Sequence, residues 1–227
     1  MKRVQLCCGD NYLRDFENCD HDGYVWDSSN LKAIRSTCGE LGEDIHIISF
    51  PEGNPNETVL ENYFSRPFEA DSSKRTRRLF ILDTQMDILK EWPWEDGTID
   101  EIVAVSCFEH FEHIGEIPHI VSEAHRVLKS GGVWKFDFPD IKKTVEDYYE
   151  SAPEFCIELL YCNHKNRYSI HNWGYTTKSI GKYLQGDMWD LVFRDVVTHD
   201  YPMQGVWATK KDTQVSLVGE SSQGSRI

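Results

Sequence analysis

One stretch, residues 99–138, constrains the fold more than any other, because three hydrophobic patterns follow one another within it. Ile102, Val103, Ala104 and Val105 form an unbroken apolar run, the composition of a strand buried on both faces. Ile117, Ile120, Val121, Ala124, Val127 and Leu128 then recur at helical spacing. Ser130, Gly131 and Gly132 predict a stop for that helix, and residues 133–138 predict a second strand that ends at Pro139 and Asp140. Buried strands joined by an amphipathic helix make a parallel sheet with helices on its faces. Such sheets take ligands at the carboxyl ends of their strands.

The alternation continues to either side. Residues 4–7 predict a buried strand running into a turn at Gly9, and residues 16–20 a second strand ending in an acid. Residues 31–41 have helical composition and residues 45–50 strand composition. Residues 51–78 carry prolines, Asn, Ser and the basic group Lys74, Arg75, Arg77 and Arg78, and predict a loop-rich segment. Residues 79–82 predict a strand, 141–149 a helix, and the stretches near 191–197 and 206–209 two closing strands. The expected organisation is one α/β domain over residues 1–213, doubly wound on a mostly parallel sheet. Residues 21–78 form an insertion after the second strand, and 214–227 a flexible Ser- and Gly-rich tail.

Composition removes several function classes. The net charge of −14 repels phosphate backbones, so a nucleic-acid partner is disfavoured. No apolar run approaches the roughly 18–20 residues of a membrane helix, and the start lacks a signal-peptide pattern, so a cytoplasmic location is expected. The seven cysteines are odd in number and irregularly spaced; most read as reduced thiols, with no metal site. Oligomeric state is left open.

Three segments carry a resemblance. Asp87-Ile88-Leu89 leads through Trp92-Pro93-Trp94 to Ile99-Asp100 and the apolar strand; Ser106-Cys107-Phe108-Glu109-His110 follows that strand; Arg126-Val127-Leu128-Lys129-Ser130-Gly131-Gly132 ends the helix. In this order and spacing they resemble the class I S-adenosylmethionine-dependent methyltransferases, nearest the small type 11-like subgroup. Leu6-Cys7-Cys8-Gly9 and Asn18-Cys19-Asp20 resemble that subgroup's first motif. The resemblance implies a seven-stranded Rossmann-like sheet and S-adenosylmethionine as cofactor. It implies Cys7, Cys8 and Gly9 beside the methionyl part, Asp20 on the ribose, Asp87 and the Ile88 backbone on the adenine, and Ser106 and Cys107 at the cofactor's centre. Two departures stand out. Gln5 and Cys7 replace the acid and first glycine of the usual motif, and Gly9 and Asp20 are only 11 residues apart, against roughly twenty in a dinucleotide fingerprint. Glu52 is therefore a rival ribose ligand.

His110 is expected at the mouth of the site, with capping of the next helix as the alternative, and His171 is the candidate general base. Arg167, Tyr168, Asn172, Trp173 and Tyr175 form a polar and aromatic segment suited to a substrate, in a loop that ends where Thr176 or Thr177 caps a helix. The expected activity is methyl transfer to an oxygen or nitrogen of a small molecule or saccharide. The altered first motif keeps a catalytically silent binding or scaffold subunit in play, and the basic cluster a nucleic-acid-modifying enzyme.

Overall fold

A computed structural model describes residues 1–9, 12–13, 15–25, 57–58, 81–162, 164, 170–184, 186–196 and 201–212. The expected helix over 31–41, the strand over 45–50, Glu52, the basic cluster, Arg167, Tyr168 and the tail lie outside the described residues, as does most of the 21–78 insertion. Among the described residues, no helix is long and apolar enough to cross a membrane.

Seven strands form the central sheet: β1 (Arg3–Leu6), β2 (Glu17–Asp20), β3 (Thr84–Gln85), β4 (Ile99–Ala104), β5 (Leu128–Pro139), β6 (Trp189–Val196) and β7 (Met203–Lys210). Their spatial order is β3-β2-β1-β4-β5-β7-β6. β3, β2, β1, β4 and β5 run parallel to one another, whereas β7 is antiparallel to both β5 and β6. The expected α/β, mostly parallel, seven-stranded Rossmann-like sheet is therefore what forms. β4 lies between β1 and β5 and is packed on both faces, Ile102 and Ala104 in the main core and Val103 against Leu13 and Phe16 on the other side, which is why its sequence is a continuous apolar run. Strand order reverses between β1 and β4, the place where a crevice opens in such sheets.

The helices are α1 (Glu116–Val127), α2 (Ile141–Tyr148), α3 (Pro153–Tyr161) and α4 (Thr177–Tyr183). α1 buries Ile117, Ile120, Val121, Ala124 and Val127, the predicted apolar stripe. Asp140 caps α2 through the Lys143 N–H, and Thr176 caps α4 in a capping box with Ser179. The glycine pair does not stop α1. The helix ends at Val127 because Leu128 is already extended and pairs with Ile99, so Gly131 and Gly132 lie inside β5 at an irregularity in its register. Gly131 there takes φ +74°, and a Cβ on Gly132 would meet the Lys129 carbonyl at 2.8 Å. α3 was not foreseen; Pro153 sits in its first turn, and few of its side chains are buried.

Among the described residues between β1 and β2 no helix forms, and the Asn18 side chain ties the turn there together. Its Oδ1 accepts from the Leu13 N–H at 2.8 Å, and its Nδ2 donates to the Leu13 and Phe16 carbonyls at 3.1 and 2.9 Å. One buried amide thus pairs three backbone groups of the turn before β2. After β2 the chain passes through Tyr24–Val25, which pairs in parallel with Ile81–Leu82, so the two ends of the following excursion lie side by side.

Candidate active site

A cavity of about 550 Å³ opens at the carboxyl ends of β1, β2 and β4 and the segment after β3. Each strand end delivers side chains to it. Cys7 and Gly9 follow β1, Asp20 closes β2, Asp87, Ile88 and Leu89 follow β3, and Ser106 and Cys107 follow β4. Every cofactor residue expected from sequence is on this wall except Cys8, which is buried and donates its N–H to the Cys19 carbonyl at 3.1 Å. Gln5 is buried inside β1, not on the wall.

Local geometry explains several of these placements. The Asp20 carboxylate accepts from the Gly9 N–H at 2.8 Å with one oxygen and from the His21 N–H at 2.7 Å with the other. The acid thus ties the glycine turn to the end of β2. Gly9 has φ +53° and nothing within 4 Å of where a Cβ would stand, so its backbone is open to the cavity. Asp87 accepts from the Leu89 N–H at 3.0 Å, and the Ile88 carbonyl accepts from the Trp92 indole at 2.9 Å.

The segment after Leu89 is locked to α1. Arg126 donates to the carbonyls of Trp94 and Trp92 at 2.8 and 3.1 Å and to Asp96 at 2.9 Å. It also meets Glu123, whose carboxylate accepts the Trp92 N–H at 2.7 Å. The Arg126 guanidinium holds the Glu123 carboxyl below its ordinary value. Two motifs distant in sequence are therefore one hydrogen-bonded unit.

The Cys7 and Ser106 end is built differently. Both residues take left-handed backbone, φ +52° and +48°. The Ser106 N–H is held at 2.6 Å by Asp137, a fully buried acid in β5. Cys7 and Cys107 are not separate thiols facing a ligand: their sulfurs are bonded to each other, with Cα atoms 6.1 Å apart. Adjacent strand ends bring these two side chains together, and the expectation that most of the cysteines are thiols is unaffected. Among the described residues, Cys8, Cys19, Cys156 and Cys162 form no disulfide, and burial pushes the Cys19 thiol up.

His110 also lines the cavity, from a short 3-10 turn, Phe108–His110. Phe108 anchors that turn by stacking on Phe136 at 4.3 Å, with no exposed surface; burying a Phe contributes roughly 2–3 kcal/mol. His110 Nδ1 meets the Ile170 carbonyl at 3.0 Å, and burial pushes its pKa down. The predicted capping role for His110 is not seen: α1 starts after Gly115 without a side-chain cap.

The substrate segment divides. Asn172 lines the cavity and donates to the His110 carbonyl at 2.6 Å. His171 lies behind His110, with ring centroids 5.0 Å apart, and its Nδ1 meets the Leu159 carbonyl at 2.9 Å. Trp173 stacks on His113 at 3.5 Å, away from the cavity wall. Tyr175 is fully buried against Phe108 and Phe138, so it is a core residue and not a wall of the pocket. Sequence reasoning did not single out Asp137, nor the burial of Glu109, since periodicity shows neither. Burial, then the nearby Asp137 charge, pushes the Glu109 carboxyl up to about 8.

Residues 57–136 match the model of a family described as a methyltransferase domain. The matched span contains Asp87, Ser106, His110 and Arg126, the residues that build one side of the cavity and its support. The match spans 80 of the 227 residues, about a third of the chain. No curated protein matches this chain. Among solved structures it is similar to a protein from Pyrococcus horikoshii, with 14% identity, 92% of this chain and 82% of that chain covered, and a TM-score of 0.46. It is similar to a SAM dependent methyltransferase from Aquifex aeolicus at 11% identity, 92% and 82% coverage and TM-score 0.43. A third, SAM-dependent methyltransferase of Methanosarcina mazei, is 10% identical, with 92% of each chain covered and a TM-score of 0.46.

The donor set of the cavity fits S-adenosylmethionine, the cofactor that the sequence resemblance implies. Asp20, Asp22, Asp87 and Glu116 put four carboxylates on the wall, and no Lys or Arg is among the described lining residues. Such a wall favours a cationic ligand bearing hydroxyl and amino donors.

Proposed function

We propose that this protein is an S-adenosylmethionine-dependent methyltransferase that transfers the methyl group to an oxygen or nitrogen of a small molecule or saccharide. The observation that carries the proposal is the acidic cavity wall with basic nitrogens at one end. Asp20 would accept the ribose hydroxyls and Asp87 the adenine amino group, with the Ile88 backbone beside it. Gly9, with Cys7 and Cys8 beside it, leaves backbone accessible to the methionyl part. Ser106 and Cys107 would face the centre of the cofactor. The cofactor supplies a methyl group already activated on a sulfonium.

The chain's own residues then position the acceptor and exclude water. Asn172 and His110, held together at 2.6 Å, form the wall that an acceptor would meet. His110 and His171 supply the basic nitrogens of that end, where an acceptor must lose a proton. Arg167 and Tyr168 are proposed substrate contacts on their sequence position alone. The acidic wall and the net charge of −14 disfavour a polyanionic acceptor, which supports a small molecule over RNA or DNA.

The test is transfer of labelled methyl from S-adenosylmethionine to a panel of amines, phenols, saccharides and RNA. Label is expected in a small acceptor and absent from RNA. Label in RNA, or in no acceptor despite cofactor binding, overturns the proposal.

A further inference from the structure

We infer that Glu109, His110 and His171 form a binding site for one divalent transition-metal ion of the zinc or iron type, at the acceptor end of the cavity. One oxygen or nitrogen from each of the three side chains lies within 4.8 Å of the others. Glu109 is 2% exposed, and both its carboxylate oxygens are buried with no hydrogen-bond partner. A buried, unpartnered carboxylate is rare in a folded protein and calls for a counter-group, a bound ion among them.

The two imidazoles are set up as ligands. A carbonyl can only accept, so the contacts of His110 Nδ1 with Ile170 and of His171 Nδ1 with Leu159 put the proton on Nδ1 in each ring. The lone pair of each neutral ring is then on Nε2. Backbone carbonyls fixing the tautomer from behind are the usual support of metal-binding histidines.

The triad is also held before any ligand arrives. The Asn172 and Trp173 N–H groups both donate to the Glu109 carbonyl, at 2.7 and 3.2 Å. The His171 N–H donates to the Tyr161 carbonyl at 3.2 Å. These bonds clamp the loop bearing His171 onto the turn bearing Glu109 and His110. Two nitrogens and one oxygen suit zinc or iron(II), not the all-oxygen cages of calcium or magnesium. Three protein ligands leave coordination positions open. With metal bound both imidazole lone pairs are engaged, so the histidines act as bases only in the metal-free site. Because His110 lines the cavity, an acceptor hydroxyl entering there could take an open position and release its proton to solvent, and the metal-bound oxygen would then take the methyl group. That role rests on the function proposed above; the site itself does not.

The test uses the full chain, stripped with a chelator and titrated with Zn2+ by calorimetry and with Co2+ by visible absorption. One ion per chain is expected, with no thiolate-to-cobalt charge-transfer band, since no cysteine takes part. Glu109→Gln and His171→Ala should each weaken uptake at least tenfold. Neither residue is on the cofactor wall, so S-adenosylmethionine binding, measured in parallel, reports whether each variant is folded. Absence of saturable uptake by the wild type overturns the inference, as does a thiolate band, or unchanged uptake in both variants. A wild type that takes up metal but binds no cofactor would leave the site standing and sink the methyltransfer reading instead.

Discussion

At the Asp87 end of the cavity, the wall is fixed by side chains acting at a distance; at the Cys7 and Ser106 end, it is fixed by backbone held in unusual conformations. Arg126 and Glu123, on α1, bind the 92–96 segment through its carbonyls and the Trp92 N–H. Cys7 and Ser106, by contrast, both have positive φ without being glycine, and their strand ends are joined through Cys7 and Cys107. Strained backbone gathers at functional sites where surrounding structure over-determines it. The comparison teaches that the first end can tolerate sequence change only at its clamps, whereas the second depends on how much space and strain each residue brings.

The largest expected effect lies at the first end. Arg126→Ala removes the hub of its hydrogen bonds and leaves Glu123 with an unpaired charge. It should lower the free energy of unfolding by about 3 kcal/mol, read by denaturant titration. A loss below about 0.5 kcal/mol, the scale of an ordinary surface change, would show that the clamp is decorative. Asp87→Ala should then raise the cofactor dissociation constant about tenfold, as loss of one hydrogen bond to a charged group does. Unchanged affinity would move the adenine contact elsewhere.

At the second end the sign reverses. In reductant, so that the Cys107 pair does not contribute, Cys7→Gly should stabilise the fold by roughly 1 kcal/mol by relieving left-handed backbone. Cys8→Gly, where φ is not positive, should show no such gain in thermal melts. The smallest effect concerns pH. The Glu123 carboxyl sits below its ordinary value in the fold, so its contribution is present above the unfolded value and is lost as pH falls through the folded one. The stability gap between wild type and Glu123→Gln should therefore narrow below about pH 4. A gap that widens on acidification contradicts the Arg126 pairing.

Much of this architecture was legible in residues 99–138, because burial on both faces of β4 and on one stripe of α1 leaves a periodic record. Asp20 and Asp87 were legible because they stand where strands end. The glycine pair misled because its signal is local, while the long-range pairing of Leu128 with Ile99 decides where α1 stops. Tyr175 misled in the same way: a polar, aromatic segment reads as a pocket, and only packing against Phe108 and Phe138 shows it to be core. Asn18 reads in sequence as part of a motif, while its amide also holds the turn before β2. The union of Glu109 with His171 is invisible in sequence, since nothing in their spacing records the clamp between their loops.

The central claim is that the cavity at the strand ends holds S-adenosylmethionine with Asp20 on its ribose. Calorimetric titration of the cofactor into wild type and Asp20→Ala tests it most directly. The account predicts saturable binding by wild type, weakened roughly 10- to 100-fold in the variant, since its carboxylate holds both the ligand and the Gly9 turn. Equal affinity in the two proteins would contradict it.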